Sequence, residues 1–344
     1  MTFEPTDKPK PSAPAKERVT LRDVADSVGV SISTASRALS GASGISTKVR
    51  KRVQEAATAL DYSGATKPHT IVVAIDVRAI EGGAGEFTQA VQRGIEHESR
   101  LLGLNLSFQH VLLKAAPLSE LDGKADGYIL LSLQAEHVVE QFSASGVAAV
   151  IVNGREPLMR LDAVAPANRA GGYLGTKHLI GLGHRKILFL DHSKRPTIRD
   201  RMLGNHKALE QAGLALDPTM SIELPEMRAD IAYQKVSARL EQNGRPDFTA
   251  IQCCNDAAAL GAIAALSEHG LKVPGDISVL GFDDVPAAAL NSTPLSTLHV
   301  DTFDLGARSV RRLVERIQHP DQLVTYTETA VSLIARQSTG PVAG

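Results

Sequence analysis

The sequence predicts an all-α headpiece followed by an α/β core of two Rossmann-like subdomains. Three observations carry this reading. At 344 residues the chain is too long for one small core. Residues 19–62 repeat apolar positions at helical spacing. From residue 70 onward, short β-rich runs alternate with helical stretches, the pattern of parallel sheets joined by right-handed crossovers.

In the headpiece, Thr20 followed by Asp23 gives a capping-box start, the carboxylate standing where Glu is more usual. Leu21, Val24, Ala25 and Val28 recur on one face, and Gly29 stops the helix. Ser31 opens a second helix with Ile32, Ala35, Ala38 and Leu39 as candidate apolar positions. After a break at Gly41 to Gly44, Ser46 caps a third helix carrying Val49, Val53, Ala56, Ala57 and Leu60. Residues 1–18, rich in Pro and Lys, read as a disordered tail, and 63–70 as a short linker. The core then spans 71–340. Its strands are expected at 71–75, 106–110, 128–131, 149–152, 186–190, 221–224, 250–253 and 278–281. Helical stretches are expected at 87–102, 171–182, 200–212, 230–242 and 256–269.

Hydrophobic (43%) and charged (22%) fractions are those of an ordinary globular protein. The net charge of −1 hides an asymmetry: residues 1–60 hold ten Lys/Arg against six Asp/Glu. A basic end on a mildly acidic body suits a polyanionic partner at one end only. The adjacent Cys253 and Cys254 would point to opposite faces of a strand, so they read as small buried hydrophobes rather than a disulfide. No apolar run is long enough to span a membrane, and the Pro- and Lys-rich start is not a secretory signal, so a cytoplasmic location is expected.

Two short helices joined by Gly29-Val30 make a helix-turn-helix, which lays its second helix in the major groove of DNA. There Ile32, Ser33, Ser36 and Arg37 would face the bases. Arg37 suits a guanine edge, and Ile32 a thymine methyl. Thr20, Ser31, Thr34 and Ser46 lie at helix starts, where hydroxyls and free N–H groups suit phosphates. The stretch 19–41, V-T-L-R-D-V-A-D-S-V-G-V-S-I-S-T-A-S-R-A-L-S-G, closely resembles the headpiece of the LacI/GalR family of bacterial regulators. Val28 and Ala35 are small apolar swaps of the usual Ala and Val. Ile45-Ser46 and Leu60-Asp61-Tyr62 are similar to that family's third helix and its end.

The resemblance continues through the core: D-G-Y-I-L at 126–130, H-L-I-G-L-G-H-R-K-I at 178–187, N-D-A-A-A-L-G at 255–261 and V-P-G-D-I-S-V-L-G-F-D-D at 273–284. It implies two lobes like those of periplasmic sugar-binding proteins, closing on an effector. Independently, Asn153, Asn255 and Asp283 each follow a strand-like run, and ligands of open α/β sheets sit beyond strand carboxyl ends. Arg201, at the start of the stretch 200–212, matches the effector-binding Arg implied by the family motif, although Asn205 replaces the aromatic that follows there. Phe87 would supply a stacking face. Arg155, Lys194 and Arg195 add positive charge near the same mouth, which would suit a sugar acid or phosphosugar beside a plain sugar.

The function expected from these readings is a DNA-binding regulator, chiefly a repressor of a catabolic operon. It would bind a palindromic operator as a homodimer under control of a small sugar-like effector. The alternatives are a sugar-binding transport-type protein and a regulator that has lost its effector response. Catalysis, cofactors and metals are not expected. Gly82 to Gly85 lies too far beyond the first strand for a dinucleotide loop, and His178 and His184 show no metal spacing. One departure stands out. The family's hinge segment, P-N-x-x-A-R-x-L, is not matched by Ser-Gly-Ala-Thr-Lys-Pro-His at 63–69. Lobe closure altering headpiece spacing is the expected substitute for hinge folding.

Overall fold

A computed structural model of the chain describes residues 19–39, 44–60, 62, 69–77, 85–111, 125–133 and 135–342. The expected tail at 1–18 and most of the expected linker, 63–68, lie outside the described residues. Two compact units are present, divided between Pro68 and His69.

The first unit holds α1 (Leu21–Val28), α2 (Ile32–Leu39) and α3 (Thr47–Ala59). Thr20 closes a reciprocal cap: its hydroxyl accepts from the Asp23 N–H at 3.3 Å, and its own N–H donates to the Asp23 carboxylate at 2.6 Å. Gly29 turns the chain with φ 70°, a conformation that costs an L side chain strain, and its N–H reaches the carbonyls of Ala25 and Asp26. Val24, Ala25, Val28, Ala35, Ala38, Val53 and Ala57 fill the core. Arg52 donates to the Val28 carbonyl at 2.9 Å, tying α3 to the end of α1.

The second unit contains two six-stranded sheets. The first lobe contains β1 (Thr70–Asp76), β2 (Asn105–Val111), β3 (Gly127–Leu131), β4 (Ala148–Val152), β5 (Asp162–Pro166) and β11 (Tyr326–Thr329). They are ordered β11-β5-β4-β3-β1-β2, and every pairing is parallel. The second lobe contains β6 (Ile187–Asp191), β7 (Ser221–Glu223), β8 (Ala250–Cys253), β9 (Ser278–Asp283), β10 (Ser296–Val300) and β12 (Val331–Ile334). Its order is β12-β10-β9-β8-β6-β7, and only β12 runs antiparallel to its neighbour. The chain passes between lobes at 166–168, 300–302 and 329–331. β3, β6 and β9 are buried throughout, as parallel strands covered on both faces must be.

Helices α4 (Gly85–Leu101), α5 (Glu136–Ser145) and α11 (Thr302–Gln318) belong to the first lobe. The second carries α6 (Asn168–Gly181), α7 (Pro196–Gln211), α8 (Ala229–Asn243), α9 (Asp256–Glu268) and the short α10 (Pro286–Leu290). The helix expected from residue 200 therefore begins at Pro196. Proline at the first helical position is pre-set for the helix and loses no internal bond. Arg201 consequently lies in the second turn. α6 and α7 cross on glycines: a Cβ on Gly172 would sit 2.1 Å from the Arg201 carbonyl oxygen, and one on Gly204 2.0 Å from that of Arg169. Gly172→Ala is thus expected to push α7 outward, costing about 1–3 kcal/mol. Urea unfolding checks this; an unchanged midpoint would show that the crossing can relax.

Candidate functional site

On the headpiece, α2 buries Ala35 and Ala38 and exposes the opposite side: Ile32 (42% accessible), Ser33, Ser36 and Arg37. Ser31 starts this helix, its hydroxyl accepting from the Thr34 N–H at 3.2 Å and lying 2.9 and 2.8 Å from the hydroxyls of Ser33 and Thr34. Thr20 and Ser46 cap α1 and α3 in the same way. The expected DNA-facing set therefore divides into an exposed reading face on α2 and three capped helix N-termini.

The second site lies between the lobes, around Arg201. Its side chain is buried and held on several sides. Nε donates to the Asn168 Oδ1 at 2.8 Å, Nη1 donates to the Cys254 carbonyl, and Nη2 is 3.6 Å from an Asp283 carboxylate oxygen. The guanidinium lies 3.4 Å over the centroid of the Phe282 ring. Burial pushes its pKa down while Asp283 pulls it up.

Backbone strain collects at the strand ends facing this site. Ser132 (φ 58°) follows β3, Asn153 (φ 54°) follows β4, and Asp283 (φ 116°) ends β9 with Asp284 (φ 60°) after it. Non-glycine residues in this region cost of order 1–3 kcal/mol each, and such strain gathers at ligand sites. Asn153 donates to the Ser132 hydroxyl at 3.3 Å, while its buried Oδ1 accepts no hydrogen bond. A buried acceptor of this kind suits a donor from a ligand.

Charge in the cleft is matched. Arg195, the N-cap residue of α7, interacts with Asp76 at the end of β1 and with Asp283. Burial and the Arg201 charge push the Arg195 guanidinium down, and the two carboxylates oppose this. Burial drives Asp283 up to about 6 against the pull of Arg201 and Arg195. Two guanidiniums thus face two carboxylates. Beneath them Asp256 accepts from the Val285 N–H at 2.9 Å and the Thr297 hydroxyl at 2.5 Å. Its burial, with Asp283 nearby, holds it well above the usual carboxylate range.

The structure brings Asn153, Arg201 and Asp283 to the cleft, but it assigns two other expected residues to different work. Asn255 is the N-cap of α9: its Oδ1 accepts from the Ala258 N–H at 2.9 Å and its Nδ2 donates to the Met227 carbonyl at 3.1 Å. Phe87 is buried in an apolar cluster with Val91 and Ile95 and presents no open face. Of the three basic residues expected at the mouth, only Arg195 enters. Arg155 lies 3.9 Å from Asp200 and over the Tyr326 ring, and Lys194 is exposed.

Asp76, Ser132, Asn168 and Phe282 were not anticipated. Asp76 and Ser132 follow apolar runs just as Asn153 does, so the same strand-end rule would have found them. Asn205 is buried, its amide 3.0 Å from that of Gln252, which also accepts from the Thr176 hydroxyl at 2.8 Å. A polar network thus fills the place where the family motif carries an aromatic.

Among the described residues no group of three His, Cys, Asp or Glu is placed to hold a metal ion, and no helix is long and apolar enough to cross a membrane. Two family models match this chain: bacterial regulatory proteins, lacI family, over residues 20–64, and the periplasmic binding protein-like domain over 176–339. A relative in Haemophilus influenzae, the HTH-type transcriptional repressor PurR, is 30% identical over 93% of this chain and 98% of its own length. The ribose operon repressor of the same species is 28% identical over 88% of this chain and 93% of its own. Two solved structures are each 26% identical and matched over their full length. The transcriptional regulator CelR–cellobiose complex has a TM-score of 0.72 and covers 93% of this chain. The lac repressor dimer bound to operator and the anti-inducer ONPF has a TM-score of 0.70 and covers 94%. With a capped helix-turn-helix at one end and a strained, charge-matched cleft between two parallel-sheet lobes at the other, the chain belongs to the lacI family of bacterial regulatory proteins, as a DNA-binding repressor controlled by a small-molecule effector.

Proposed function

We propose that the protein is a cytoplasmic, homodimeric repressor of a catabolic operon whose effector is a neutral, polyhydroxyl sugar, and that it acts as a regulator and not as a catalyst. The matched charge of the cleft carries the choice of effector. Two guanidiniums facing two carboxylates give an incoming anion no net attraction to offset its lost hydration. Hydroxyl groups both donate and accept, so they suit Asn153 Oδ1, Asp283 and Arg195 together. This favours a plain sugar over a sugar acid or phosphosugar. Two of the similar proteins carry a sugar in their names, the ribose operon repressor and the regulator solved with cellobiose.

On DNA, Arg37 reads guanine, Ile32 meets a thymine methyl, and Ser33 and Ser36 lie along the base edges. Thr20, Ser31, Thr34 and Ser46 set the helix ends on phosphates. Two headpieces reading one turn apart, roughly 34–36 Å, require an inverted repeat. Selection from random DNA with the full chain should return two inverted half-sites. Arg37→Ala should weaken binding about 10- to 100-fold and relax one base position in each half-site. Recovery of sequences without dyad symmetry, or an unchanged profile for Arg37→Ala, would overturn the DNA-reading part of the proposal.

A further inference from the structure

A second cavity of about 500 Å³ opens on the other side of α7 from Arg201. Residues 199, 203 and 206 recur along one stripe of this helix and line the cavity, whereas position 201 projects roughly half a turn away. Both lobes build it. Pro157 comes from the loop after β4 of the first lobe, and Pro196, Met202 and Leu203 come from the second. The volume is within the range of small-molecule sites, about 300–1,000 Å³.

The cavity's chemistry differs from that of the cleft. Proline rings, Met202 and Leu203 form the walls, and Leu203 is 48% accessible although it is large and apolar. Burial pushes the His206 imidazole below its ordinary pKa, which favours the neutral ring. The charged groups at the rim are already engaged. Arg199 donates to the carbonyls of Ser193 at 2.7 Å and Lys194 at 3.3 Å, and Arg155 is 3.9 Å from Asp200. Carbonyls orient Arg199 without neutralising it, so a ligand meets a positive guanidinium at the rim. It meets apolar walls and flat guanidinium planes, which favour the face of an aromatic ring. We propose that this cavity is a second small-molecule site, spanning both lobes, that takes a neutral planar aromatic molecule of one or two rings.

Indole is a convenient probe because the chain contains no tryptophan, so indole emission is read without competing protein indole. Titrating indole with the full chain should give saturable fluorescence anisotropy. The response should be unchanged in Leu323→Ser, an exposed change outside the cavity lining. Leu203→Arg should weaken it at least tenfold, and Pro157→Arg, placed on the other lobe at an exposed position, should do the same. Circular dichroism of each variant establishes that it is folded. Absence of saturable binding to the parent chain, loss of binding in Leu323→Ser, or retention in both folded cavity variants would each overturn the proposal.

Discussion

Arg201→Ala should abolish effector-dependent stabilisation and cost the fold about 3–5 kcal/mol, the penalty of stranding a buried carboxylate. The guanidinium is the main positive charge acting on Asp283, and it also joins α7 to α6 through Asn168 and to the end of β8 through Cys254. Without it, Asp283, already driven up to about 6 by burial, takes a proton more readily, and this limits the loss. Asp283→Asn in the same chain should therefore recover part of it. Urea unfolding at neutral pH should show the double variant to be less destabilised than the two single variants combined, by 1 kcal/mol or more. Strict additivity would mean that the two residues do not act as a pair.

A second large effect concerns Asp191, at the carboxyl end of β6. Burial pushes its carboxyl up to about 7, with the nearby Glu223 charge raising it further and the Ser221 hydroxyl opposing. The folded pKa is above the ordinary value of 3.8, so the folded state holds the proton more tightly than the unfolded chain does. Stability from this group is fully present below pH 4 and is lost as pH rises towards 7. Three pKa units correspond to about 4 kcal/mol, an upper bound. Asp191→Asn, neutral at every pH, should gain on the parent by a few kcal/mol between pH 4 and pH 8. The comparison between variant and parent is what matters. His178, His184 and His206 are pushed down by burial, so they contribute stability that is lost as pH falls through their range. A difference that stays constant with pH would show that Asp191 ionises freely.

Local grammar explains what was legible in the sequence. Thr20, Gly29, Ser31 and Ser46 mark the headpiece helices through capping chemistry, which involves residues only a few positions apart. The near-continuous apolar runs of β1, β3, β4, β6, β8 and β9 announce strands buried on both faces. β5, β10, β11 and β12 were not anticipated. β11 and β12 are short edge strands of four residues each; β11 is polar, and β12, Val-Ser-Leu-Ile, is too short and too exposed to stand out as a strand. β11 joins the first sheet by pairing Tyr326–Thr329 with Ala163–Pro166, contacts that local spacing does not reveal. α11 was also missed. It returns the chain to the first lobe, where Arg312 and Arg316 hold the buried Asp162 at 2.8 and 2.7 Å.

In the cleft, Arg201 and Asp283 could be named from motif and strand-end position. Their pairing with Asn168, Phe282 and Cys254 depends on how three segments converge, and no local pattern encodes that. Asn255 shows the ambiguity of the strand-end rule. The position that suits a ligand contact also suits a helix N-cap, and here the amide is engaged on both sides.

Thermal unfolding of the full chain against neutral sugars, sugar acids and phosphosugars, repeated with Arg201→Ala, would test the sensing cleft. A ligand bound only by the folded state raises its stability, by about 2.7 kcal/mol at a hundred times Kd. At least one neutral sugar should raise the melting temperature of the parent chain and leave that of Arg201→Ala unmoved. Stabilisation by acidic sugars alone, or a rise that persists in Arg201→Ala, would contradict a neutral polyhydroxyl effector held by Arg201 between the lobes.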